Sequence, residues 1–183
     1  MAIVDFQQVL RFWFAPENAK MLFAKNDDFD QEIRDQFLDT WVAASKGELW
    51  SWRKDPYGRL AEIIVLDQFS RNLWRGSAKS FAQDEMALTL SQELYNHPAY
   101  KNQFNENERI FAVMPFMHSE SKVVHEWALN IFQEIGNGNN LHYEKLHKTI
   151  IDRFGRYPHR NDVLGRETTT EEAEFLTQKN SSF

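Results

Sequence analysis

Residues 59–74 read RLAEIIVLDQFSRNLW and carry a strong helical pattern. At 3.6 residues per turn, one arc of roughly 100° collects the apolar Leu60, Ile63 and Ile64 together with the charged Asp67 and Arg71. The opposite side of the same helix is also apolar, with valine, leucine and phenylalanine side chains. A helix with two apolar faces is stable only when it is buried, so this segment predicts a fold in which other helices cover it on both sides.

The rest of the chain shows the same helical period. Two pairs, Asn105 with Glu108 and Thr169 with Glu172, have the spacing of capping boxes, which begin helices. Pro115 is expected to end one helix, because a proline lacks the backbone N–H that a helix interior needs. No run alternates apolar and polar residues in the way of a strand. The other predicted helices cover approximately residues 5–14, 28–46, 49–52, 84–96, 105–115, 119–135, 141–154 and 169–176.

These segments predict an all-α protein of about eight helices joined by short loops. Short loops favour antiparallel neighbours, in a bundle or in a stacked array of helix pairs. A rhythm of roughly 30–40 residues per helical hairpin fits a degenerate tetratricopeptide-like array, although no exact repeat occurs. No linker divides the chain, so we expect one domain over residues 1–183, with residues 178–183 as a frayed tail.

The composition excludes several classes of function. The chain has 183 residues and no cysteine, which excludes disulfides, thiolate catalysis and cysteine-ligated zinc. The net charge is −6, whereas nucleic-acid binding calls for a basic surface. No apolar run approaches the ~20 residues of a membrane span, and the first residues lack the pattern of a signal peptide. We therefore expect a soluble cytoplasmic protein that binds neither nucleic acid nor membrane.

Charged side chains occupy one apolar face of the helix at residues 59–74. Asp67 and Arg71 are four residues apart, where an acid and a base can pair, and Arg75 continues the same ridge. Two interpretations remain open. The charges form a buried ion pair that fixes helix packing, or all three side chains line the wall of a ligand pocket.

A second polar group, at residues 114–120, joins two predicted helices. Ser119 is expected to begin the second helix, with Glu120 in its first turn, where the helix dipole favours a carboxylate. His118 lies at the junction. Glu120 has a structural interpretation as a partner of the helix dipole, and His118 has one as a histidine bonded to backbone. Both also have a functional interpretation as candidate catalytic residues. No histidine spacing of a metal motif occurs, so we predict no metal site.

The third polar group is FGRYPHRN, residues 154–161, which follows neither a helical nor a strand period. It contains Arg156, His159, Arg160 and Asn161. A segment that contains arginine but no lysine favours bidentate binding of a carboxylate or phosphate by the planar guanidinium group. Arginines after a helix can instead cap its carbonyls and pair with neighbouring acids. The density of specific polar groups exceeds what capping needs, which favours a site.

At these three groups the chain resembles the uncharacterised bacterial family called domain of unknown function 924. The resemblance covers nearly the whole chain, and it implies a right-handed α-α superhelix of tetratricopeptide-like type. It implies no reaction and no catalytic roles. Ser70 departs from the family pattern, which usually has proline at this position. The matching segments are LDQFSRNLWRG (66–76), FAQD (81–84), MPFMHSE (114–120), FGRYPHRNDVLGRE (154–167) and EEAEFL (171–176).

Three functions remain open from the sequence. The first is a binding protein whose groove holds a small anionic or zwitterionic molecule, or a peptide end. The second is a hydrolase or lyase in which Glu120 or Asp67 acts as the base and His118 or His159 as the acid. The third is a protein-interaction scaffold whose charged groups form internal ion pairs without a small-molecule site. No particular cofactor and no oligomeric state is predicted. The candidate ligand-binding residues are Asp67, Arg71, Arg75, Arg156, His159, Arg160 and Asn161.

Overall fold

The chain is all-α, as the helical pattern predicts. A computed structural model describes residues 2–182, and within this range there is no β-strand. Short 3₁₀ turns, such as Trp50–Lys54 and Pro158–Arg160, join several of the helices. The helices are α1 (Phe6–Trp13), α2 (Asp27–Ser45), α3 (Pro56–Ile64), α4 (Ser70–Leu73), α5 (Asp84–Asn96), α6 (Pro98–Asn102), α7 (Glu106–His118), α8 (Lys122–Ile135), α9 (Gly138–Phe154) and α10 (Thr170–Leu176).

One continuous helical segment lies in the core. It consists of α3, a π-helical turn at Val65–Phe69, and α4. Every residue from Leu60 to Ser70 is buried, and the segment packs against α1, α2, α5 and α7. Each fully buried leucine or isoleucine contributes about 1.5–3 kcal/mol relative to an exposed one. The prediction that other helices cover this segment is confirmed.

Aromatic rings join the N-terminal helices to this core. The ring centroid of Phe37 lies 4.9 Å from that of Phe69 and 4.9 Å from that of Phe12. Trp13 meets Phe111 of α7 edge to face at 5.4 Å. Such pairs add roughly 0.5–1.5 kcal/mol beyond the area that they bury. They hold α1, α2 and α7 around the central segment and so position the C-terminal end of α7.

The predicted helix break at Pro115 is wrong, because this residue lies inside α7. An internal proline removes one backbone hydrogen bond and crowds the carbonyl four residues earlier. Eight consecutive buried residues, from Ile110 to Met117, anchor α7 in the core and offset that loss. Helix α8 accordingly begins later than predicted, with Ser121 rather than Ser119 as its N-cap.

The third polar group lies between α9 and α10. Gly155 ends α9 with a left-handed φ of 70°, which confirms the predicted stop. Tyr157 follows it and forms a small separate apolar cluster with residues of α9 and α10. In the tail, Ser181 is buried and donates a hydrogen bond to the carbonyl of Leu176 at 3.1 Å. Phe183, the end of the predicted frayed tail, lies outside the described residues.

The order of the helices as a right-handed, tetratricopeptide-like superhelix stays a prediction, as does the single domain. Between residues 2 and 182, none of the helices combines the length and apolar content that crossing a membrane requires.

Candidate functional site

The π-helical turn places an acidic side chain in the core. Asp67 lies in the middle of this turn and is 1% exposed. A π turn interrupts the α-helical hydrogen-bond ladder, and such turns are frequent at functional sites. Here the guanidinium of Arg71 donates to the Asp67 carbonyl at 2.8 Å. The sequence offered no signal for the turn, because the residues around it keep a helical period.

The carboxylate of Asp67 binds the ring of His118 at the end of α7. Its Oδ1 lies 2.6 Å from Nδ1 of His118 and 3.2 Å from Nη1 of Arg71, while Gln68 donates to Oδ2 at 2.6 Å. Burial alone would raise the pKa of Asp67, but the charges of His118 and Arg71 together with these hydrogen bonds lower it to about 2. Asp67 is therefore an ionised carboxylate at neutral pH.

The same pair leaves His118 as a neutral ring with one free nitrogen. Burial lowers the pKa of His118, and Arg71 lowers it further, although Asp67 opposes both. Because Nδ1 faces a carboxylate, the hydrogen bond assigns the ring proton to Nδ1. Nε2 then carries a lone pair, and it has no hydrogen-bond partner in the part of the chain that the structure describes.

A chain of charges connects this pair to the third polar group. Asp84, the first residue of α5, accepts from both Nη atoms of Arg71, at 3.0 and 3.1 Å, and from Nη1 of Arg160 at 3.1 Å. The guanidinium of Arg160 is stacked between the rings of Phe81 and Tyr157, with centroids 4.3 and 4.6 Å away. The side chain of Arg160 is 7% exposed. Asp84 thus holds two arginines from different segments in one place.

Glu120 is held by a separate bidentate pair. Its two carboxylate oxygens accept from Arg166 at 2.7 and 3.0 Å, and the backbone N–H of Tyr157 donates to it at 2.7 Å. Burial would raise the pKa of Glu120, but the hydrogen bonds from Arg166 and Tyr157 and the charge of Arg160 lower it. Glu120 is therefore an ionised group that ties the segment after α7 to the segment after α9.

Three successive carbonyls at the end of α7 are bound by side chains. The hydroxyl of Tyr157 donates to Met117 O at 2.6 Å, Arg160 donates to His118 O at 3.0 Å, and Nε2 of His125 lies 2.8 Å from Ser119 O. The last carbonyls of a helix lack partners within the helix, and here side chains supply those partners. These three bonds fix the turn that carries His118.

His125 is itself fully buried and paired. Its Nδ1 lies 2.7 Å from Oε1 of Glu144 on α9, and both side chains are 0% exposed. Burial raises the pKa of Glu144, although the hydrogen bond with His125 opposes the rise. This pair lies behind the α7 turn and supports it from the side of α8 and α9.

A cleft with a volume of about 400 Å³ opens at these groups. It is lined by residues of α5 and of the segment before it, by the end of α7, and by the segment after α9. Sites for small molecules occupy roughly 300–1,000 Å³, so this cleft is at the small end of that range. The lining residues are Ala78, Phe81, Ala82, Asp84, Glu85, Leu88, His118, Ser119, Glu120, Arg160 and Leu164.

Two predicted binding residues lie away from the cleft. Helix α4 ends at Leu73, so Arg75 leaves the ridge of Asp67, and it pairs with Asp30 of α2 at 2.7 and 2.9 Å. The left-handed turn at the end of α9 directs Arg156 toward α10, where it makes a bidentate pair with Glu172 at 2.7 and 2.9 Å. The expected convergence of the three polar groups is therefore partial.

Two more predicted residues, Asn161 and His159, also do not line the cleft. Asn161 is 0% exposed and accepts from Nε of Arg166 at 3.0 Å. His159 is partly buried, and its Nδ1 has no hydrogen-bond partner among residues 2–182. Burial and the neighbouring Arg160 lower the pKa of His159 to about 4. No group of three or more His, Asp or Glu side chains in that range is placed to hold a metal ion.

Two residues that join the polar groups, Asp84 and Arg166, were not predicted as site residues. Both lie in segments that match the family pattern, at residues 81–84 and 154–167, and this was the available signal. The helical period gave no signal for them, because an ion pair between distant segments does not affect the local spacing of residues.

Comparison with known proteins decides the family. The model of a bacterial protein family of unknown function, DUF924, matches residues 9–180. The chain belongs to this family. It is also similar to a solved structure of a protein of unknown function from Agrobacterium tumefaciens, with 35% sequence identity and a TM-score of 0.86. That match covers 93% of this chain and 96% of the Agrobacterium chain. No curated protein matches the chain. For this DUF924 chain, the comparisons therefore support the all-helical fold and name no reaction.

Proposed function

We propose that the cleft is the active site of a hydrolase or lyase that acts on a small molecule, with His118 as the general base. The observation that carries the proposal is the 2.6 Å contact between Asp67 and His118 at a cleft that His118 lines. A carboxylate that orients a neutral histidine is a common arrangement for moving a proton in catalysis. In this role Asp67 holds the tautomer, and Nε2 of His118 takes the proton from water or substrate.

The geometry favours this assignment over the other sequence hypotheses for acid and base. Glu120 already accepts three hydrogen bonds, two from Arg166 and one from a backbone N–H, so it supports the cleft wall rather than exchanging protons. His159 does not line the cleft. The acid partner in the reaction is then the protonated His118 itself, which returns its proton to the leaving group or the product.

A pure anion-binding function has less support. Arg71 and Arg160 both pair with Asp84, and Arg71 pairs with Asp67 as well. Arg75 and Arg156 pair with carboxylates elsewhere. A zwitterionic ligand or a peptide terminus remains compatible with a cleft that holds both signs of charge. A pure interaction scaffold requires internal ion pairs without a cavity, and the cleft argues against it. The net charge of −6 suits a cytoplasmic small-molecule enzyme better than a nucleic-acid-binding protein.

The first test is hydrolysis of p-nitrophenyl acetate, a generic ester that reports a reactive imidazole. We expect the rate to rise with pH through the lowered pKa of His118, which lies below 6.5, and then to level off. His118→Gln should lower the rate at least tenfold, since general acid–base catalysis contributes about 10²–10⁴-fold. Asp67→Asn should also lower it, because the amide no longer holds the proton on Nδ1.

The matched control is His142→Gln, which removes an exposed histidine of α9 outside the cleft. Its rate should equal that of the wild type. Wild-type hydrolysis by the His118→Gln variant would eliminate His118 as the base.

A separate experiment tests binding by measuring the melting temperature with a panel of small amines, amino acids and esters. A ligand at ~100 times its dissociation constant adds about 2.7 kcal/mol, or roughly 5–10 °C.

A further inference from the structure

We propose that the ligand of the cleft carries an ammonium group beside an apolar body, and that Glu85 binds the ammonium group. This inference specifies the substrate class of the site and rests on the function proposed above. It follows from asking which polar groups of the cleft already have partners and which do not.

The guanidinium groups of the site are occupied. Arg71 is bound by Asp67 and Asp84, and Arg160 by Asp84 and the His118 carbonyl. Stacking between two aromatic rings also leaves the Arg160 side chain only 7% exposed. An anionic ligand would have to displace a carboxylate from one of these arginines, which leaves that carboxylate buried and unpaired.

The same holds for Arg166. It donates to both oxygens of Glu120, to Oδ1 of Asn161 and to the carbonyl of Tyr157 at distances from 2.7 to 3.0 Å. Its guanidinium is therefore the partner of Glu120 and not a free receptor for a ligand carboxylate or phosphate.

Two of the cleft-lining side chains, Glu85 and His118, offer acceptor atoms without a partner in the described part of the chain. Glu85, on the first turn of α5, makes no side-chain hydrogen bond or ion pair within residues 2–182. Nε2 of His118 also has no hydrogen-bond partner there. Four carboxylates (Asp67, Asp84, Glu85 and Glu120) stand against three guanidinium groups, so the formal charge of the site is −1 with His118 neutral. A cationic ligand would complement this net negative charge.

The remaining walls are apolar. Phe81, Leu88 and Leu164 line the cleft together with two alanines, and Leu164 is 36% exposed. Such walls fit the hydrocarbon part of a small ligand. Arg160 also leaves one buried nitrogen, Nε, without an acceptor among residues 2–182. A small amine with a hydrocarbon body combines the free carboxylate of Glu85 with these apolar walls.

The test uses three probes that share an unbranched six-carbon body: hexylamine, hexanoate and hexan-1-ol. Binding is followed by NMR titration of the His118 ring signal, which is assigned from its absence in His118→Gln. We expect hexylamine to bind up to about fivefold more tightly than either other probe, since a solvent-exposed ion pair contributes up to about 1 kcal/mol. The Glu85→Gln variant should lose this preference.

The control is Glu93→Gln, which neutralises an exposed glutamate of the same helix outside the cleft. It should keep the preference for hexylamine. Tighter binding of hexanoate, equal binding of the three probes, or an unchanged preference in Glu85→Gln would overturn the proposal. The ester assay separates the two proposals. If Glu85→Gln binds like the wild type while His118→Gln loses hydrolysis, only the ligand class is wrong.

Discussion

Removal of one hydroxyl group should weaken the turn that carries His118. Tyr157→Phe keeps the ring, which is 0% exposed, and deletes the hydroxyl that donates to the carbonyl of Met117 at 2.6 Å. It also deletes a 3.1 Å contact with Nε2 of His125. The matched control is Tyr100→Phe, because Tyr100 is 2% exposed and its hydroxyl is buried without a hydrogen-bond partner among residues 2–182.

The magnitude follows from what each variant leaves behind. In Tyr157→Phe the carbonyl of Met117 loses its donor in the last turn of α7, and an unsatisfied buried acceptor costs about 1–3 kcal/mol. In Tyr100→Phe no bond is lost and one desolvated hydroxyl disappears, so the free energy of unfolding should stay within about 1 kcal/mol or rise. For a chain of this size, roughly 2 kcal/mol lowers the melting temperature by about 4–8 °C.

Urea unfolding of both variants measures this difference. The slope of unfolding free energy against urea should be unchanged, so that the midpoint alone reports stability. The NMR signal of the His118 ring provides the functional arm, because its pKa should move in Tyr157→Phe and not in Tyr100→Phe. If the two variants differ by less than about 0.5 kcal/mol, the hydroxyl of Tyr157 does not support the α7 turn and the reasoning is refuted.

Two further predictions concern the central helix. The Cβ of Gly58→Ala would lie 2.1 Å from the carbonyl oxygen of Trp52, so we expect the protein to lose about 1–3 kcal/mol of stability. The control Gly138→Ala meets no atom within 4 Å and should be neutral or stabilise by up to about 1 kcal/mol. Thermal melts of the two variants check this, and equal effects would contradict it. The lowered pKa of Asp67, about 2, means that its carboxylate stabilises the fold above the unfolded value of about 4 and loses this contribution as the pH falls through 2. The stability advantage of the wild type over Asp67→Asn, about 2 kcal/mol from this shift, should therefore shrink between pH 4 and pH 2 in acid-unfolding curves, and a constant advantage would contradict the assignment.

Much of the scaffold was predictable from local signals. The period of residues 59–74 predicted a helix covered on both sides, and the burial of Leu60 to Ser70 confirms it. The capping boxes at Asn105 and Thr169 form as predicted. Caps and periods act over one or two turns, so a short window of sequence contains their whole cause. Pro115 lies inside α7 because burial of the flanking residues outweighed a local rule. The short helix α6 was not predicted.

Only the residue types of the site were predictable from the sequence, and not their pairing. The residue types that mark Asp67, Arg71, His118 and Arg160 as unusual are visible in the sequence, and the structure brings these four together. Their partners were not visible. Asp84, the acid that joins two of them, is ordinary in its own helix.

The sequence by itself determined that the chain is helical, where most of the helices lie, and which polar side chains stand where apolar ones are expected. These properties depend on neighbours a few residues apart. The tertiary structure alone decided that Asp67 pairs with His118 across 51 residues, that Arg160 pairs with Asp84 across 76, and that Arg75 and Arg156 turn to other carboxylates. Ion pairs and hydrogen bonds act over about 3 Å in space, and only the packing of the helices brings those atoms within that distance.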